Sequence, residues 1–307
     1  MKLLIDSISK DLSPWVAGLK EALGDDTVIT WEEMNDPADV TTAVIWNHRP
    51  ELFAKLPAVK LIASLGAGVD HILKDPLIPK GAQITRVISE HLSTPMSNYC
   101  LGAVLHYKKQ FDKYLEDKSL KRWDQQFEPE RDIRVGILGL GVLGADLAGK
   151  LIQLGFPVSG LSQSRKSLPG VTSYVNDEMD DFLSAINLLI CMLPATSSTK
   201  GILSSSLFNK MPMGSFLVNV ARGHHQINAD IFEALESGQL AGAFLDVFPE
   251  EPLPDESPLW THTKVFITPH IAVVTKLAAA VPQIAVNHRR VINGEPLTGL
   301  VDREKGY

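Results

Sequence analysis

Short runs of Val, Ile, Leu and Ala, without polar alternation, recur along this chain and are separated by stretches with helical patterning. Strands of that kind are buried on both faces, as in a parallel sheet whose crossovers are helices. A first set falls at Lys2–Ile5, Thr27–Thr30, Ala43–Trp46, Leu61–Ser64 and Ile84–Thr85. A second set starts afresh at Arg134–Leu138 and continues at Val158–Leu161, Leu188–Met192, Ser215–Asn219, Gly242–Asp246 and Val265–Thr268. The expected fold class is therefore α/β, with two doubly wound parallel-sheet lobes of Rossmann or flavodoxin type and a cleft between them. Thr94-Pro95 reads as an N-cap followed by proline at the first helical position, opening a helical stretch to Leu115. A polar segment, Glu116 to Asp132, follows it. A last helix is expected from about Thr275 to Ile292, stopped at Asn293-Gly294. These breaks place a substrate-binding lobe at residues 1–93, completed by 283–307, and a dinucleotide-binding domain at 94–282.

Composition excludes several classes. Hydrophobic residues make up 45% of the 307 and charged residues 21%, enough for a packed core and too apolar for wholesale disorder. The net charge of −7 argues against nucleic acid or an anionic membrane as a partner. The four-residue apolar stretch before Asp6 is too short for a signal peptide, and no apolar run is long enough to cross a bilayer. Cys100 and Cys191 lie in apolar surroundings and read as reduced core residues of a cytoplasmic protein. His224 and His225, and likewise His48, His71, His91 and His106, lack metal-ligand spacing, so no metal is expected. Ser204-Ser205-Ser206 reads as a helix start rather than a nucleophile.

Gly139-Leu140-Gly141-Val142-Leu143-Gly144 follows a strand and opens a helical pattern. In that context G-x-G-x-x-G marks a dinucleotide site. The first glycine permits the turn, the second lets a pyrophosphate approach the backbone, and the third lets helix and strand pack closely. The helix N-terminus then offers free amides to the phosphates. The next strand ends in Ser162-Gln163-Ser164-Arg165-Lys166, with no acidic residue to take the ribose hydroxyls. Ser162, Ser164, Arg165 and Lys166 offer hydroxyls and positive charge to a 2′-phosphate instead, which points to NADPH in preference to NADH.

Arg222, Glu251 and His270 each lie just beyond a different strand of the second set. In a parallel sheet those ends share one edge, the edge that also carries the glycine turn. The three residue types suit reduction of a 2-oxo acid. Arginine grips a carboxylate, histidine gives up a proton near neutrality, and a neighbouring carboxylate favours the imidazolium and steadies the ring. Taken singly, each has a plain alternative: a surface ion pair, part of an acidic loop, a strand cap.

With Asn219-Val220-Ala221-Arg222-Gly223, Asp246-Val247-Phe248-Pro249-Glu250-Glu251-Pro252-Leu253-Pro254 and Thr268-Pro269-His270-Ile271-Ala272 added to the glycine turn, the chain resembles the D-isomer-specific 2-hydroxyacid dehydrogenase family along essentially its whole length. The ending Gly294–Tyr307 and Leu65-Gly66-Ala67-Gly68-Val69-Asp70 are similar to a bacterial branch that reduces glyoxylate and hydroxypyruvate. The resemblance implies catalytic roles for Arg222, Glu251 and His270. It implies cofactor contacts from residues 139–144, from Leu193, Pro194, Val220, Ala221 and Asp246, and from the 162–166 segment. It also implies that Trp46, Ala67 and Gly68 meet the substrate together with Arg222 and His270, and that the enzyme is a homodimer. That branch carries arginine where this chain has Gln163, and a different segment from Trp46-Asn47-His48-Arg49-Pro50. Two other outcomes fit the same fold: reduction of a bulkier 2-oxo acid such as phenylpyruvate, and a non-catalytic dinucleotide-sensing scaffold. Trp123 is a candidate dimer contact.

Overall fold

The computed structural model of the protein describes residues 1–125 and 129–306. Residues 126–128 of the expected polar segment and Tyr307 of the tail lie outside the described residues. The chain divides into two compact units, Met1–Leu92 with Val274–Tyr307, and Ser93–Val273.

The first unit is built on five parallel strands: β1 (Lys2–Asp6), β2 (Val28–Thr30), β3 (Val40–Ile45), β4 (Leu61–Ser64) and β5 (Gln83–Thr85). They lie in the order β2-β1-β3-β4-β5. All of β3 and β4 is buried, which is why these strands read as unbroken apolar runs. The final helix, Leu277–Asn293, packs against the helix Ser13–Leu23 and ends at Gly294 in the left-handed conformation (φ 73°). The expected boundary at 283 would have cut this helix; the whole of it belongs to the first unit. The tail then runs beside β5, with the Val301 amide on the Ile84 carbonyl at 2.8 Å.

His288, on the buried face of that helix, is 2% exposed, and its Nδ1 lies 2.8 Å from the Thr42 hydroxyl. Burial, helped by the positive charges of the N-terminus and Arg289, pushes its pKa down to about 4 from 6.5. Between those values the unfolded chain holds a proton that the folded chain does not, so stability falls as pH drops from 6.5 to 4. The expected loss is about 2–3 kcal/mol. Urea denaturation at pH 7 and pH 4.5 should show it, and His288→Gln should flatten the slope; an equal slope in the variant would assign the loss to other groups.

The second unit holds seven parallel strands: β6 (Val135–Leu138), β7 (Val158–Leu161), β8 (Val171–Tyr174), β9 (Leu188–Cys191), β10 (Ser215–Asn219), β11 (Leu240–Leu245) and β12 (Val265–Ile267). Their order is β12-β11-β10-β9-β6-β7-β8. The chain runs outward from β6 to β8, returns to the other side of β6, and runs outward again. The strand order therefore reverses between β6 and β9, the place where such sheets bind ligands. One face packs the helices Glu90–Lys108 and Val142–Gln153, and the other the helices Met179–Ala185 and Asn228–Glu236.

Three elements differ from expectation. β8 has no counterpart among the expected strands; it is a half-exposed edge strand, Val-Thr-Ser-Tyr, without an apolar run. The helix expected at Thr94 starts at Glu90 and carries Pro95 inside it. The stretch to Leu115 is not one helix, since Gln110 adopts a left-handed conformation (φ 58°) and a second helix follows at Phe111–Ser119. Cys100 and Cys191 are buried free thiols, and burial raises both, Cys191 to about 12. Among the described residues no helix is long and apolar enough to cross a membrane, and no cluster of His, Cys, Asp and Glu could hold a metal ion.

Candidate active site

The glycine turn lies between β6 and the helix Val142–Gln153. Gly139 has φ 106°, and a Cβ there would meet the Met192 carbonyl oxygen at 2.8 Å. A Cβ on Gly144 would lie 2.1 Å from the Gly139 oxygen. Both positions therefore require glycine, one for conformation and one for helix–strand packing. Nothing lies within 4 Å of the Cβ direction of Gly141, the N-cap residue, which makes no side-chain cap bond. The first amides of the helix, at Val142, Leu143 and Gly144, thus face a position that backbone and phosphate can share. These residues fit a dinucleotide pyrophosphate.

Beyond β7, the Ser162 hydroxyl donates to the Ser164 carbonyl at 2.8 Å, closing the turn on itself. Arg165 and Lys166 are exposed. No acidic residue is near in sequence, but the fold supplies one. Arg165 Nη2 donates to Glu178 Oε1 at 2.6 Å and Oε2 at 2.8 Å, and its Nη1 donates to the Ser173 carbonyl of β8.

Arg222 follows β10, and several side chains brace its backbone. Asn219 accepts from the Ala221 amide at 3.2 Å and donates to the Arg222 carbonyl at 3.3 Å. His225, fully buried, has its Nδ1 3.2 Å from the Arg222 amide and 3.0 Å from the Arg222 carbonyl oxygen, and its Nε2 3.1 Å from the Pro194 carbonyl oxygen. Burial lowers the His225 pKa, so it serves as a neutral bracket. Leu193-Pro194 is in this way tied to the arginine turn, and Val220 and Ala221 are buried beneath it. The guanidinium Nη1 donates to the Ala221 carbonyl at 2.7 Å. Gly223 is essential to the approach, since a Cβ there would fall 1.8 Å from the Phe248 carbonyl carbon. The arginine turn thus packs against the backbone that leads to Glu251.

Glu251 Oε1 accepts the Phe248 amide at 3.0 Å, and its Oε2 lies 2.8 Å from His270 Nδ1. Burial raises the Glu251 carboxyl, but His270, the Phe248 amide and the charge of Arg222 outweigh it and hold the pKa below the usual 4.5. Arg222, Glu251 and His270 are therefore electrostatic neighbours, although 222 and 270 lie on different strand ends. With Nδ1 on the carboxylate, the imidazole keeps Nε2 for a ligand; both side chains are 36% exposed.

His270 sits in the left-handed region (φ 55°), which a non-glycine residue holds only when the surroundings enforce it. Asp246 enforces it. Its carbonyl accepts the His270 amide at 2.8 Å, and its carboxylate accepts the amides of Ile271 (2.8 Å) and Ala272 (2.9 Å) and the Thr268 hydroxyl (2.6 Å). Tyr99, pushed up to about 12 by burial, donates to Thr268 at 2.6 Å. Asp246, expected among the cofactor contacts, is 1% exposed, and both its oxygens are committed to this loop.

Of the expected substrate contacts, Arg222 and His270 belong to the second unit and Trp46, Ala67 and Gly68 to the first. Trp46, beyond β3, has its ring centroid 4.5 Å from that of His71, with Lys10 Nζ 4.3 Å above it. Ala67 and Gly68 form the turn after β4, where the Gly68 carbonyl accepts the Ser64 hydroxyl at 2.8 Å. The expectation missed His225 and Asp246 as positioning residues, and Glu178 as a partner of Arg165. For His225 the only sequence signal was its place three residues beyond the arginine.

The fold and site define a nucleotide-binding oxidoreductase scaffold, and comparison with known proteins assigns it. The pattern of the D-isomer specific 2-hydroxyacid dehydrogenase NAD binding domain matches residues 101–272. Glyoxylate/hydroxypyruvate reductase A of Salmonella newport is 42% identical over 301 residues, covering 95% of this chain and 96% of its own. A D-isomer specific 2-hydroxyacid dehydrogenase from Xanthobacter autotrophicus, solved with NADPH and MES, superposes with a TM-score of 0.94 at 34% identity, covering 100% of this chain and 99% of that one. The NADPH-dependent glyoxylate/hydroxypyruvate reductase of Sinorhizobium meliloti, solved with NADP and sulfate, gives 0.93 at 34% identity over the whole of both chains. The chain belongs to the D-isomer specific 2-hydroxyacid dehydrogenase family.

Proposed function

We propose that this protein is a cytoplasmic, NADPH-dependent reductase of small 2-oxo acids, converting glyoxylate to glycolate and hydroxypyruvate to D-glycerate. The observation that carries the reading is the 2.8 Å His270–Glu251 contact, within the field of Arg222 and on the sheet edge that bears the glycine turn. The named relatives that act on glyoxylate and hydroxypyruvate support the substrate class, and those solved with NADP or NADPH support the cofactor. The buried free thiols suit a reducing compartment.

When bound, the reduced nicotinamide supplies a hydride to the carbonyl carbon. Arg222 holds the substrate carboxylate with its fork and draws electron density toward the carbonyl oxygen. His270, as imidazolium, gives the proton from Nε2 to that oxygen as negative charge develops there. Glu251 anchors Nδ1, so the ring keeps one orientation through proton loss and regain. In the reverse direction the same nitrogen accepts the proton from the hydroxyl.

Initial rates with glyoxylate, hydroxypyruvate and phenylpyruvate, each with NADPH and NADH, test the assignment. The expected order places the two small acids and NADPH first. Faster turnover of phenylpyruvate would move the assignment to bulky substrates, and no turnover with any acid would leave a sensing scaffold. We read the enzyme as a homodimer because the helix Phe111–Ser119 exposes Phe111, Tyr114 and Leu115 side by side with Trp123 beyond it. Light scattering at twice the 33.6 kDa chain mass would agree, and the single-chain mass would refute it.

A further inference from the structure

The reach of Glu178 to Arg165 is not visible in the sequence, because it depends on β8. That edge strand pins the 162–166 segment twice: the Ser173 carbonyl accepts from Arg165 Nη1, and the Ser173 hydroxyl accepts the Lys166 amide at 2.9 Å. The chain then turns, and Glu178 comes back onto Arg165 Nη2 with both oxygens. Glu178 is itself fixed, since the Val175 amide donates to its Oε2 at 3.0 Å. That amide and Arg165 hold its carboxyl below the usual range, so it is charged wherever the enzyme would work.

We propose that Glu178 sets the discrimination between NADPH and NADH, by two opposed effects on the ribose 2′-phosphate site. Its hydrogen bonds hold the long Arg165 side chain in place, so that less rotamer freedom is lost when a phosphate arrives. Its negative charge, at hydrogen-bond distance from the same guanidinium, repels that phosphate. The inference rests on the reading of Arg165 and Lys166 as the 2′-phosphate site. Because Gln163 adds no charge, Arg165 carries more of the discrimination, and whatever governs Arg165 governs the preference.

The two effects separate by substitution. Glu178→Gln keeps an oxygen acceptor for Arg165 and removes the charge; Glu178→Ala removes both. Calorimetric titration of the full-length protein with adenosine 2′,5′-bisphosphate and with 5′-AMP reads the site without catalysis. The affinity ratio of the two nucleotides is expected to rise about three- to tenfold in Glu178→Gln, where only the charge is lost, and to stand severalfold lower in Glu178→Ala than in Glu178→Gln, where the hold on Arg165 is lost as well. The KM ratio of NADH to NADPH should move in the same directions. A general loosening of the fold would weaken both nucleotides together and leave the ratio where it was. A ratio unchanged in Glu178→Gln, or equal in the two variants, would overturn the role of Glu178. Arg165→Ala is the separate control: if it leaves the preference for the bisphosphate intact, the 2′-phosphate reading itself is wrong, whatever Glu178 does.

Discussion

His270→Asn is expected to lower the rate of 2-oxo acid reduction by about 10²–10⁴-fold, the usual contribution of a positioned general acid. Asparagine is the informative replacement. His270 holds φ 55°, and asparagine is among the few residues that enter that region readily, so the loop should keep its path. The side chain can still reach toward Glu251 but carries no titratable proton. Single-turnover rates are the appropriate measurement, since product release can limit kcat and mask a slower chemical step. Turnover within a fewfold of the parent, with unchanged thermal stability, would remove His270 from the proton transfer.

Asp246→Ala should be the most damaging change to stability. The carboxylate is 1% exposed and accepts from two amides and a hydroxyl within 2.9 Å. Truncation leaves those donors buried without their acceptor, at about 1–3 kcal/mol each, so a total near 3–5 kcal/mol is reasonable once relaxation is allowed. In a unit of this size that lowers Tm by roughly 10 °C. Activity should fall further than stability explains, because the freed loop no longer fixes the backbone of His270. Asp246→Asn keeps the shape and one good acceptor and should lose less on both counts. Calorimetry and kinetics on the two variants test this; an alanine variant with the parent Tm would mean that solvent replaces the carboxylate.

Most strands were readable because burial on both faces leaves a contiguous apolar run, as in Leu188–Cys191. β8 was not, because an edge strand buries little and needs no such run. The glycine turn and the Arg222, Glu251 and His270 positions were readable for a different reason: parallel topology converts "just after a strand" into "on the same edge". What stayed hidden are residues whose work depends on distant backbone. Asp246 serves a loop some 25 residues onward, and Glu178 reaches Arg165 only through a strand that the pattern did not reveal. The first turn of the helix at Glu90 was missed because Thr94-Pro95 imitates a helix start, whereas the structure carries the proline inside the helix. The left-handed Gln110 gives no compositional sign of the break it makes.

Arg222, Glu251, His270, their braces and the glycine turn all fall within the uninterrupted stretch Ser93–Val273, while Trp46, Ala67 and Gly68 fall in the unit formed by the two flanking segments. The residues proposed for proton transfer thus lie on one continuous segment of chain, flanked on both sides by sequence of the other unit. Exchange of the flanking sequence alone would therefore replace the residues proposed to meet the substrate and leave the proposed acid–base group untouched.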